Sequence, residues 1–233
     1  MGKPNSGSEA GEMLRRAIYS GLSRAYNGVK LDSTAYLHHL RRAHRLPIVS
    51  YRDMFLLPVA AIDHVADQTI SASKKIAALE GAGVGMGGML TVLPDISFLS
   101  IIAMRMLQKL SLIYGFEYST EEEVIELWIA AGTAAGLDLG RDLLEKEVIE
   151  RFVPRVMERV AARMGAEIAE KWTARLIPIL SGAIGGALNY YFIREWGRRA
   201  KMHFRARHLA QRQFELDAPS VRTFNPPKPL LPA

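Results

Sequence analysis

Arg194, Arg198, Lys201, Arg205, His208 and Arg212 follow one another at steps of four and three residues, a spacing that sets side chains along one side of a helix. A row of guanidinium and ammonium groups does one kind of chemistry well: it holds anions. Ile193, Trp196, Ala200 and Phe204 fall on another face, so the segment reads as an amphipathic basic helix with an indole at its apolar border. The expectation is that Arg194, Trp196, Arg198, Lys201, Arg205 and Arg212 contact a membrane surface carrying anionic lipid. Nucleic acid is the less favoured anion, because no helix-turn-helix, zinc-finger or RNA-recognition pattern accompanies the stripe.

A second set of residues could do proton chemistry. Asp95 is a lone carboxylate at the end of an apolar run; its plain role is to cap a helix behind Pro94. Its chemical role would be to pair with a base such as Arg105 or Arg194 and, with Asn189, to serve a hydrolase working at a membrane. Asp95, Arg105 and Asn189 are therefore the catalytic candidates, and an accessory protein is favoured over an enzyme. Asp63-His64-x-x-Asp67 gathers three potential metal ligands, but His64 points about 100° away from the face the two acids share. No metal and no cofactor are expected, since the chain has no cysteine and no HExxH, GxSxG or P-loop sequence. Gly83-x-Gly85-x-x-Gly88 matches a dinucleotide fingerprint by letter, yet the preceding SASKKIAALE reads as helix where the fingerprint needs a strand.

The elements around these residues explain why a membrane enters the argument. GAGVGMGGMLTVLP, residues 81–94, and LIPILSGAIGGALNYYFI, residues 176–193, are free of charge. Gly81, Gly83, Gly85, Gly87, Gly88, Gly182, Gly185 and Gly186 give them the small-residue spacing that lets backbones touch. A helix needs about 20 apolar residues to cross a bilayer. Eighteen residues containing Pro178 and Asn189, and fourteen ending at Asp95, fall short, so a closely packed or shallowly inserting pair is expected.

The rest of the chain reads as helix. Apolar residues recur at helical spacing nearly throughout, without a convincing alternating run, and about seven or eight helices in one all-α bundle are expected. Pro58 and Pro94 are taken to open helices, Gly115 to close one, and Ser119-Thr120 with Glu123 to form a capping box. Arg151, Arg155, Arg159 and Arg163 form a solvated ladder. Charge is uneven: residues 1–52 carry nine Lys and Arg against three acids, residues 194–233 again nine against three, and the middle 12 against 18. Together with the proline-rich end, this suggests a basic helical arm over 1–47, a helical domain over 48–213 and an extended tail over 214–233. The first 16 residues have no apolar stretch of signal-peptide length, which favours the cytoplasmic side of a membrane.

Taken in order, the Gly-rich apolar segment, Leu93-Pro94-Asp95, Tyr114-Gly115, Pro178, Gly182 to Gly186, Asn189 and Gly197 resemble the bacterial EcsC family over about residues 50–210. The resemblance implies a helical protein in the cytoplasm or at the inner membrane. It implies a link to secretion and to an ABC transporter encoded beside the family's namesake, with no established activity or cofactor. A looser likeness to the membrane-associated helical domain of certain bacterial GTPases also exists, although this chain has no GTPase domain.

Overall fold

The computed structural model describes residues 6–28, 31–84, 89–137, 149–173 and 182–217. Among them are seven α-helices and one short 3-10 helix, Tyr51–Leu56, and no strand, so the fold is all-α. The helices are α1 (Ser6–Gly28), α2 (Ser33–Ala43), α3 (Val59–Val84), α4 (Met89–Ile113), α5 (Glu121–Ala134), α6 (Ile149–Thr173) and α7 (Gly182–Asp217).

Local chemistry sets several of the ends. Asp32 caps α2 by accepting from the Ala35 N–H at 3.0 Å. At α5 the expected capping box forms: Glu123 Oε2 accepts from the Thr120 N–H at 3.0 Å, and Thr120 Oγ1 from the Glu123 N–H at 3.4 Å. Gly115 closes α4 at φ 88°, with the Phe116 N–H bonded to the Ser111 carbonyl at 2.9 Å and the Gly115 N–H to that of Leu112 at 3.0 Å. Pro94 and Asp95 do not open a helix. They lie inside α4, because the proline forfeits one N–H bond while Met89 and Leu90 favour helix on its N-terminal side. The Asp95 side chain is outside the described residues, as are Gly85, Gly87 and Gly88 and the stretch 174–181. Gly81 and Gly83 continue α3, and Gly182 and Gly185 open α7.

α4 is apolar around much of its circumference and lies centrally, against α1, α3, α5 and α7. Leu99, Ala103, Met104, Met106, Leu107 and Leu110 are buried there. α1 also packs on α6, α5 joins α6 to α7, and α3 runs beside α7. Leu14, Ile18, Leu22 and Ala25 of α1 and Tyr36 and Leu40 of α2 belong to the same buried cluster as the later helices, so no break in packing falls at residue 47. Of the basic residues on these two helices, Arg16, Arg24, Arg41 and Arg42 are exposed, and Arg15 is half-buried and paired with Glu158 of α6.

Candidate functional site: a basic groove between two antiparallel helices

α3 and α7 run in opposite directions, and four contacts fix their register. Arg205 Nε donates to Asp63 Oδ2 at 2.9 Å, and Lys201 Nζ to Asp67 Oδ1 at 2.7 Å. Gly197 is buried where a Cβ would stand 2.8 Å from Ile70 Cγ2, so the missing side chain lets the helices touch. Lys74 Nζ stands 4.9 Å from the centroid of the Tyr190 ring. The C-terminal end of α3, with Gly81 and Gly83, therefore lies beside the N-terminal end of α7, with Gly182 and Gly185.

Along this seam opens a groove of about 650 Å³ lined by His64, Asp67, Gln68, Ile70, Ser71, Lys74, Arg194, Arg198, Lys201, Met202 and Arg205. Five cations face it against one lining carboxylate. Three of the five are committed within the protein: Lys201 to Asp67, Arg205 to Asp63, and Arg198 to Glu195 at 2.6 Å. Among the described residues no ion pair engages Lys74 or Arg194, so the groove carries about two uncompensated positive charges.

Asp63 anchors the site. Its Oδ1 accepts from the Tyr114 hydroxyl at 2.7 Å while Oδ2 takes Arg205, so one carboxylate ties α3, α7 and the end of α4. Burial works to raise its pKa, but the Tyr114 hydroxyl and the Arg205 guanidinium outweigh it and hold the carboxyl below its ordinary value. Burial, reinforced by Asp63, pushes the Tyr114 phenol well up. Glu195 is lowered to about 2, first by its bond to Arg198 and then by Arg199. Beneath the groove His208 is fully buried, stacked on Phe55 at 4.8 Å, its Nδ1 2.9 Å from the Tyr114 carbonyl. Burial lowers the pKa of His208, and also that of His203, where Arg207 adds to the effect.

The expected stripe is thus only partly a surface. Arg194, Arg198 and Arg205 are exposed, Lys201 and Arg212 are half-buried and His208 is in the core, with Lys201 and Arg205 paired to acids of α3. At about 100° per residue the six positions spread over about 80° of the helix circumference, with His208 at one edge of that band and Arg198 at the other, so the row is wide enough to run from open surface to buried contact. Trp196 is 1% exposed and packs 5.4 Å from Phe192, and Ile193, Ala200 and Phe204 are buried with it. Arg105 is exposed on α4 and Asn189 is buried on α7, and neither lines the groove. Of the close-packing glycines, Gly186 is buried. Among the described residues the tightest glycine contacts lie elsewhere: a Cβ on Gly21 of α1 would stand 2.3 Å from the Ser97 carbonyl oxygen of α4. Arg151, Arg155, Arg159 and Arg163 are exposed along α6.

Asp63 and Asp67 are the functional partners that sequence reasoning missed. Their signal was present: two acids four apart on α3 match two bases, Lys201 and Arg205, four apart on α7, the pattern of an antiparallel charge ladder.

A helical bundle with a basic groove on one seam is the class of protein that fold and site define. The sequence pattern of the EcsC protein family matches residues 11–209, most of the chain, and this protein belongs to that family. Protein EcsC of Bacillus subtilis (strain 168) is 37% identical over 81 residues, a match spanning 34% of each chain. No solved structure matches. Among the described residues no helix is long and apolar enough to cross a membrane.

Proposed function

We propose that this protein is a peripheral, accessory component of a membrane surface, held there by anionic lipid and serving a membrane-bound partner in transport or secretion. The observation that carries this reading is the meeting of charge and apolar surface at one end of the bundle. Among the described residues Lys74 and Arg194 there make no ion pair. On the same end portions of α3, α4 and α7, Ile76, Leu79, Phe98, Tyr190 and Tyr191 are all exposed large side chains. Surface apolar groups gathered beside basic ones suit an interface where rings and methylenes enter the acyl boundary and cations meet phosphates. Each cation near the surface contributes about 1 kcal/mol toward anionic lipid.

Co-sedimentation with vesicles tests the reading. The protein is expected to pellet with phosphatidylglycerol-containing vesicles and to stay in solution with phosphatidylcholine alone, more weakly as salt rises. Arg194→Glu/Arg198→Glu is expected to abolish pelleting. Failure of the wild type to bind anionic vesicles at low salt would overturn the reading.

A further inference from the structure

We infer that the α3–α7 groove is a discrete site for a phosphate monoester rather than a diffuse patch for any anionic lipid. This rests on the membrane reading above for where the ligand is met, but not for its chemistry.

The argument is one of charge and donor matching. Lys201, Arg205 and Arg198 are each neutralised by a carboxylate 2.6–2.9 Å away, and among the described residues the two charges of Lys74 and Arg194 meet no counter-ion. These two lie close together: Lys74 sits over the Tyr190 ring, and Arg194 follows Tyr190 by about one helical turn. A phosphate diester brings one negative charge to such a pair; a monoester brings −1.5 to −2 near neutral pH and three terminal acceptor oxygens. The third oxygen has donors to meet, since the Ser71 hydroxyl lines the same groove, as does the Gln68 amide, whose nitrogen lies 2.9 Å from His64 Nε2 and has a second N–H to give. Ile70 and Met202 supply an apolar wall for the carbon skeleton that carries the phosphate. The volume of about 650 Å³ exceeds a bare phosphate and suits a phosphorylated headgroup or a small phosphorylated metabolite.

The ligand is therefore a phosphate monoester, borne by a lipid such as phosphatidic acid or by a soluble molecule such as glycerol 3-phosphate. The full chain is compared on phosphatidic acid and phosphatidylglycerol vesicles matched for surface charge, and titrated with glycerol 3-phosphate by calorimetry. The expected result is at least tenfold tighter binding to phosphatidic acid, falling about thirtyfold in Lys74→Met/Arg194→Met and kept in Arg194→Lys, with circular dichroism confirming that each variant is folded. Glycerol 3-phosphate binding that the double variant loses, without a preference between vesicles, supports the site and assigns it to a soluble ligand. Equal binding to both vesicles with no uptake of glycerol 3-phosphate overturns the inference while leaving the membrane reading standing. Failure on both vesicles removes the membrane reading, and the calorimetry alone then decides the site.

Discussion

Asp63 accepts the Tyr114 hydroxyl at 2.7 Å on one carboxylate oxygen and the Arg205 guanidinium at 2.9 Å on the other, so a half-buried acid joins three helices. Asp63→Ala leaves a phenol and a guanidinium without their acceptor and is expected to cost about 2 kcal/mol. Tyr114→Phe is expected to cost about 1 kcal/mol, removing a single bond. The folded-state pKa of Asp63 is depressed, so its stabilisation is present above the ordinary carboxyl range near about pH 4 and is lost as pH falls through the folded value. Urea midpoints of wild type and Asp63→Asn should therefore converge on acidification from pH 7; a constant gap would contradict the ionised pairing.

His208 predicts a second pH dependence at a different place. It is fully buried and kept neutral, chiefly by burial, with the nearby Arg212 and Arg205 acting the same way and the Tyr114 carbonyl and Asp63 opposing. The unfolded chain takes up the proton more readily, so stability is whole above about pH 6.5 and declines as pH falls below it toward the folded value. His203 and His44 are lowered too and add in the same direction. Melting temperature is expected to drop between about pH 7.5 and about pH 5.5, and less steeply in His208→Gln, which starts lower. An unchanged slope in that variant would show that His208 does not titrate on unfolding.

Gly21 and Gly11 make an internally controlled pair on α1. A methyl at Gly21 would meet the Ser97 carbonyl oxygen at 2.3 Å and Ser100 Cβ at 2.8 Å, both on α4. Gly21→Ala should force α1 and α4 apart and cost about 1–3 kcal/mol. At Gly11 nothing lies within 4 Å of the added atom, and alanine should stabilise the helix by up to about 1 kcal/mol. Chemical denaturation of the two variants reads the sign directly, and loss of stability in both would mean that α1 does not hold this register.

Glu195 offers a gain of binding rather than a loss. It pairs with both Arg198 and Arg199, at 2.6 and 3.0 Å. Glu195→Gln releases the Arg198 charge into the groove, and affinity for anionic vesicles is expected to rise about fivefold. A fall in affinity would place the vesicle contact away from this face.

What the sequence made legible was local. Thr120 with Glu123, and Gly115 after Tyr114, announce helix ends because the groups that satisfy the backbone lie within a few residues of it. On α7 the apolar row of Ile193, Trp196, Ala200 and Phe204, all buried, was legible for the same reason. Its partner was not: lipid and protein are both apolar, so the pattern that buries Trp196 against Phe192 is the pattern that would have set it in a bilayer. The Asp63 and Asp67 pairings depend on which helix neighbours α3, a tertiary fact that spacing alone constrains only after the antiparallel register is known. The width of the basic row was calculable, but which edge of it would meet α3 was not.

The length of α7 has a geometric consequence. Thirty-six residues at about 1.5 Å each make a rod of about 54 Å. If the end bearing Tyr190 and Tyr191 rests on a bilayer with the rod upright, Arg194 and Arg198 stand at headgroup height. Arg212 is then about 27 Å above Arg194, beyond the reach of lipid, and the exposed Leu209 and Phe214 are presented at a similar elevation. The molecule then behaves as a post, with lipid read at its foot and a separate surface held well clear of the membrane at its top.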